Sequence, residues 1–219
     1  MTNINYEYIE NYIRGLVPKK TGQLMEMREY AKINHVPIVE EETEEFLKFL
    51  IYMKRPKRIL ELGTAIAYSS IVFTKSSSSV EFVKTIEIRE EMVEISRNNI
   101  EKMNLSNKIE VVHGDAAEVL ENLEGKFDMI FIDAAKGQYE KYFNLSLKNL
   151  EKDGIIVCDN VLFKGMIANQ ELVKRRKITI VKRLRKFLKD IEENEDFVSS
   201  IVPIGDGVLL IGRNLDEES

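Results

Sequence analysis

The stretch "ILELGTAIAYSSI", residues 59–71, decides the fold. Apolar residues run into Gly63, small residues follow, and a helical pattern begins at Tyr68. A strand that enters a helix through a glycine turn is how a doubly wound α/β sheet begins, and ligands in such sheets bind outside the carboxyl ends of the strands. The rest of the chain continues the pattern. Strand-like runs at 58–62, 80–88, 108–114, 127–133 and 154–160 alternate with helical runs near 68–75, 90–103, 116–123 and 139–150. Such alternation predicts a parallel sheet with helices on both faces. Two further strands, 197–204 and 207–213, flank Gly205-Asp206-Gly207, whose residues suit a hairpin turn. The expected architecture is therefore α/β, a doubly wound and mostly parallel seven-stranded sheet closed by an antiparallel C-terminal hairpin.

Ahead of the sheet, residues 6–16, 23–33 and 43–53 carry apolar residues at helical spacing. Pro37 in "HVPIVE" interrupts them, because it lacks an amide hydrogen and biases Val36 towards extended geometry. We read residues 1–219 as a single domain, with 1–56 a helical extension and 57–213 a Rossmann-like core.

Composition narrows the function classes. Hydrophobic residues make up 44% of the 219, enough for a sizeable core. No apolar run approaches the roughly 18 residues that a membrane-spanning helix needs. The first residues lack the basic-then-apolar layout of a signal peptide. One cysteine, Cys158, excludes an intrachain disulfide, and two histidines make a His/Cys zinc site a poor fit. These features predict a cytoplasmic protein with no membrane partner. Net charge is −5, but the average conceals a segment. Residues 174–189 hold nine of the 32 basic residues and no acid, which leaves 23 against 37 acids elsewhere.

The ends of the predicted strands carry the candidate chemistry. Gly63 lets the backbone approach a ligand closely, and the helix behind it offers unpaired N–H groups with the Ser69 hydroxyl beside them. Glu87 ends the second strand, where an acid can accept from ribose hydroxyls. Asp115 ends the third, placed to meet an adenine edge. A dinucleotide fold would need G-x-G-x-x-G against a pyrophosphate, and "GTAIAYSS" lacks its second and third glycines. The pattern therefore favours S-adenosylmethionine over a dinucleotide oxidoreductase's cofactor. Ala67 stands at one missing glycine. Its methyl is tolerable if that position faces the helix–strand contact.

Asp133 in "FIDAAKGQY" ends the fourth strand, and Asp159 and Asn160 in "IVCDNVLFKG" end the fifth. Two carboxylates and an amide oxygen at neighbouring strand ends make an all-oxygen site suited to Mg²⁺ or Mn²⁺. Lys136 lies one turn beyond Asp133, where an amine can act as base on a substrate oxygen. In the basic run, Val181, Leu184, Leu188 and Ile191 fall on one helical face, with lysines and arginines around the rest. Read alone, that is an amphipathic helix with a solvated cationic face. A surface for RNA phosphates is the sharper reading.

"LELGTAIAYSS", "FIDAAKGQY" and "DNVLFKG" together resemble the cation-dependent O-methyltransferases related to catechol O-methyltransferase, over residues 34–213. With "HVPIVE", the basic run and "PIGDG", the likeness is nearest to the bacterial members that methylate 5-hydroxyuridine at the tRNA wobble position. The resemblance implies a class I S-adenosylmethionine-dependent methyltransferase fold. It implies that Asp133, Asp159 and Asn160 hold the cation and that Lys136 is the base. Val39, Glu61, Gly63, Ser69, Glu87, Ala116 and Asp133 would contact S-adenosylmethionine. Lys174, Arg175, Arg176, Lys177, Lys182 and Arg183 would meet a tRNA anticodon stem-loop. Members are commonly homodimers, with the N-terminal helices helping at the interface. The departure is Ala67, where the family usually has glycine. Two rivals stand beside this reading: the same chemistry on a small vicinal diol, and a non-catalytic RNA-binding protein on the same fold.

Overall fold

The computed structural model describes residues 4–215. Its strands are β1 (Arg58–Leu62), β2 (Phe82–Glu87), β3 (Ile109–His113), β4 (Phe127–Ile132), β5 (Leu150–Cys158), β6 (Phe197–Val202) and β7 (Val208–Arg213). They form one sheet in the order β3-β2-β1-β4-β5-β7-β6. β1 to β5 run parallel, and β7 inserts antiparallel between β5 and β6, as the hairpin signal predicted. Strand order reverses between β1 and β4, so a crevice opens at the carboxyl ends of that pair.

Three helices precede the sheet: α1 (Glu7–Leu16), α2 (Gln23–Ile33) and α3 (Glu41–Lys54). The crossovers are α4 (Tyr68–Ser76), α5 (Glu90–Lys102), α6 (Ala116–Asn122) and α7 (Tyr139–Ser146), and α8 (Ile178–Glu192) leads to the hairpin. β1 shows why the sheet is covered on both faces. Leu60 and Leu62 pack in the layer with Leu120, Tyr139 and Leu184, and Ile59 packs on the other side with Leu47, Ile51 and Phe73. This is the two-residue period of a strand buried on both sides. Phe73 meets Phe131 edge-on at 5.2 Å, which pins α4 to β4 and adds about 1 kcal/mol beyond simple burial.

Two expectations shift. The helical run 139–150 stops as α-helix at Ser146, turns once through Leu147–Asn149, and Leu150 already pairs with Phe127 in the sheet. The Asn149 amide donates to the carbonyls of Leu123 and Gly125, and that tie to the β4 entrance ends the helix. In α8, Val181, Leu184 and Ile191 are buried as expected, but Phe187 is the deep anchor and Leu188 is only half-buried. Phe187 stands edge-on to Tyr139 at 6.4 Å. Among the described residues no helix is long and apolar enough to cross a membrane.

Candidate active site

A cavity of about 340 Å³ opens at the β1/β4 switch point, within the size range of small-molecule and cofactor pockets. Val39, Gly63, Ser69, Glu87, Asp115, Ala116, Asp133, Lys136 and Asn160 all line it. The structure thus brings together residues separated by up to 121 positions in the chain.

Gly63 takes a φ of +100°, and its N–H donates to the Ile86 carbonyl at 3.0 Å. A β-carbon there would overlap the Asp133 carbonyl. The glycine is therefore required by the backbone of β4's end, which it must pass closely, and not by a ligand alone. Glu87 is 6% exposed, accepts from the Ala65 N–H at 2.8 Å and the Arg89 N–H at 2.9 Å, and still borders the cavity. These bonds tie the β1–α4 loop to the end of β2 and fix the carboxylate's direction. Asp115 has a double position. Its Oδ1 accepts from the N–H groups of Ala117 and Glu118, which caps α6, while the residue also faces the cavity. Capping holds the carboxylate rigidly at the rim.

Glu61 is placed differently from the expected cofactor contact. Its side chain is fully buried behind the cavity wall and accepts from the hydroxyls of Ser69, Ser70 and Thr85. Alternation along β1 turns Glu61 towards α4, away from the crevice. It acts on the cavity through Ser69, which it orients. Burial pushes its carboxyl up to about 7. Ala67 does not line the cavity; it is fully buried at the start of α4 with a φ of +63°. The left-handed backbone accounts for a glycine preference at this position, independent of any ligand.

Asp133 and Asp159 follow the last rungs of β4 and β5. The Asp133 N–H donates to the Leu62 carbonyl at 2.9 Å, and the Asp159 N–H to that of Ile132 at 3.0 Å. Lys136 Nζ lies 3.4 Å from Asp133 Oδ1. Asp159 is 1% exposed, and burial, then the charge of Asp133, holds its carboxyl well above the usual carboxylate range. Asn160 has a φ of +59° and donates its N–H to Asp159 Oδ1 at 2.7 Å. Two mutually repelling carboxylates with an amide beside them fit a divalent cation, which would remove the repulsion. Among the described residues no cluster of three His, Cys, Asp or Glu exists that could hold a metal. A cation at this place would therefore need the amide of Asn160 for a third protein oxygen.

Several contributors carried no local signal. Tyr139, 1% exposed, donates its hydroxyl to the Asp159 carbonyl at 2.8 Å and so steadies that strand end. Tyr142 lines the cavity. Arg28 on α2 donates to the Val39 carbonyl at 3.2 Å, to the Tyr68 hydroxyl at 2.8 Å and to Glu44 at 2.7 Å. Val39 and Tyr68 both border the cavity, so one guanidinium braces two of its walls. Nothing local marked Tyr139, Tyr142 or Arg28 for these roles.

The basic run divides into two parts. Arg185 donates to the carbonyls of Met166 and Ile167, and Lys186 pairs with Glu140 and Asp190, so these serve the fold. Lys177 sits 5.7 Å from the Phe163 ring. Among the described residues, Lys174, Arg175, Arg176, Lys182 and Arg183 are exposed and have no acid within ion-pair distance. Arg183 donates to the Gly137 carbonyl at 3.2 Å, one residue from Lys136.

Comparison with known proteins agrees with this geometry. The model of an O-methyltransferase family matches residues 17–214. A catechol O-methyltransferase of Niastella koreensis is 28% identical over 78% of this chain and 80% of its own. A crystal structure from Staphylococcus aureus superposes with a TM-score of 0.88 at 32% identity, covering 95% of this chain and all of that one. An O-methyltransferase from Bacillus cereus, solved in complex with SAH, superposes at 0.83 with 26% identity over 98% of this chain and all of its own. The chain belongs to the cation-dependent O-methyltransferase family and is an S-adenosylmethionine-dependent O-methyltransferase.

Proposed function

We propose that this enzyme methylates 5-hydroxyuridine to 5-methoxyuridine at the tRNA wobble position, and that the anticodon stem-loop is its partner. The observation that carries this reading is Arg183. It joins a cationic segment, 174–189, that holds no acid of its own to the loop of Lys136, so phosphates bound along that segment would lie beside the reacting group. Neighbouring oxygens at positions 4 and 5 of the base resemble the vicinal pair of a catechol. A base in a single-stranded loop can be splayed into a pocket without opening a duplex.

When bound, S-adenosylmethionine supplies the electrophilic methyl, and a divalent cation at Asp133, Asp159 and Asn160 supplies Lewis acidity that makes a substrate hydroxyl more acidic. Lys136, as the neutral amine, accepts the hydroxyl proton at Nζ as the oxygen–methyl bond forms and the methyl's bond to the donor sulfur breaks, with the thioether leaving. Gly63, Ser69, Glu87, Asp115 and Ala116 hold the donor in place. Such positioning is worth up to roughly 7–11 kcal/mol of barrier.

A second reading, methylation of a small catechol-type diol, is favoured by the name of the Niastella relative. Labelled methyl transfer separates the two. tRNA bearing 5-hydroxyuridine and free catechol are offered in parallel, with Mg²⁺, with Mn²⁺ and with chelator. The tRNA reading predicts cation-dependent labelling of the RNA that falls steeply with salt. Labelling of catechol alone would overturn it. Lys136→Ala should abolish turnover and leave SAH affinity within about twofold; unchanged turnover would remove Lys136 as base.

The same reading includes a homodimer. Tyr6, Tyr8 and Tyr12 at the N-terminal helix, and Phe49, Tyr52 and Met53 on α3, leave apolar surface exposed for a second copy. Light scattering that returned a monomer mass would refute this.

A further inference from the structure

We infer that the Gly205-Asp206-Gly207 turn is a clip that sets the cation affinity of the site by holding the Asn160 loop, and that Asp206 is its positioning residue. This rests on the metal reading above. The loop after β5 is unusual in its backbone. Asn160, Phe163 and Lys164 have φ values of +59°, +47° and +57°. Left-handed geometry is disfavoured for side-chain-bearing residues, less so for asparagine, so this loop needs outside support.

The support comes from the β6–β7 turn, some 40 residues away. The Val161 N–H donates to the Gly207 carbonyl at 2.9 Å, and the Leu162 N–H to the Asp206 carbonyl at 3.0 Å. The Lys164 N–H donates to the Asp206 carboxylate. Each glycine is seated against a neighbour. A β-carbon at Gly207 would overlap Leu162, and one at Gly205 would overlap the Thr43 hydroxyl on α3. The turn is thus anchored to α3 on one side and grips the loop on the other.

The three proposed cation ligands differ in how they are held. Asp133 and Asp159 follow directly on ladder bonds of the sheet. Asn160 begins the strained loop, and its position depends on what holds that loop. Loosening the clip should remove one oxygen of three from the cation and leave the cofactor wall in place, because the turn's hydrogen bonds to this region run to Val161, Leu162 and Lys164, which follow Asn160.

Mn²⁺ binding, followed by electron paramagnetic resonance on the full-length protein, tests this beside calorimetric SAH binding without metal. Asp206→Ala should weaken Mn²⁺ about tenfold and leave SAH within twofold. Asp206→Asn, which keeps an acceptor for the Lys164 N–H, should restore most of the Mn²⁺ affinity. Gly207→Ala, which pushes on Leu162 from the same turn, should reproduce the Asp206→Ala loss. Equal losses of Mn²⁺ and SAH binding in Asp206→Ala would mean a general structural role and overturn the inference. So would unchanged Mn²⁺ affinity in both Asp206→Ala and Gly207→Ala. Asp159→Asn is the control. If it binds Mn²⁺ as well as the parent, the metal reading itself fails, and that failure is separate from the clip's.

Discussion

Replacing Arg28 by methionine tests how the N-terminal helices are tied to the cofactor cavity. The guanidinium is largely buried, at 18% exposure, and the Glu44 carboxylate that it pairs with is 1% exposed. It lies 4.6 Å from the Tyr68 ring centre, and the Tyr68 hydroxyl itself donates to Glu44 at 2.8 Å. Removing one partner of a buried ion pair costs about 3–5 kcal/mol, because the other charge is left without compensation. Lys20 remains 2.6 Å from the second Glu44 oxygen, and the methionine stem keeps most of the packing. The lower end, about 3 kcal/mol, is therefore expected. For a chain of this size that lowers the melting temperature by about 6–12 °C. Loss of the bond to the Val39 carbonyl, about 1 kcal/mol, should also weaken SAH about fivefold. Urea unfolding with midpoint and slope, together with calorimetric SAH binding, measures both. A stability change under 1 kcal/mol would show that Lys20 alone satisfies Glu44. A normal SAH affinity in a destabilised variant would show that Arg28 does not brace the wall.

Glu61 gives a pH prediction. Its carboxyl is raised from 4.5 to about 7 in the folded chain, so the folded state holds the proton more tightly than the unfolded state. The resulting stability, about 3 kcal/mol, is complete below pH 4.5 and is lost as pH rises through about 7. Burial raises Asp206 in the same direction, to about 6, so the test is the difference between parent and Glu61→Gln; parallel stability–pH curves would refute the assignment. Ala67→Gly relieves left-handed strain of about 1–2 kcal/mol but loses a buried methyl and gains chain entropy of similar total size. Its unfolding free energy should stay within about 1 kcal/mol of the parent, and a larger drop would mean that the methyl's packing outweighs the strain. Neutralising Arg175 and Arg176 together should raise KM for tRNA and flatten its salt dependence, with turnover on free catechol unchanged; an unaltered salt slope would return that surface to a solvated face.

Much of the fold and site was legible because the signals are local. Alternating strand and helix periods set the α/β class, and a glycine-flanked turn announced the antiparallel hairpin. Strand ends are also local features, and in a parallel sheet they all open on one side. That is why Gly63, Glu87, Asp115, Asp133 and Asn160 meet at one cavity, while Asp159, at the neighbouring strand end, is buried behind it. Glu61, expected at the cofactor, sits behind the cavity wall: strand alternation sends it to the face opposite Leu60 and Leu62, where α4 covers it.

The sequence by itself determined the order of elements and the chemistry at the mouth of the sheet, since both follow from short-range periodicity and residue type. Only the tertiary structure decided which side chains hold that chemistry still. Arg28 meets Val39 and Tyr68, and Asp206 meets Lys164, through packing of elements that no local pattern relates. These hydrogen bonds join groups far apart in the chain, so they exist only once the assembled fold brings their elements together.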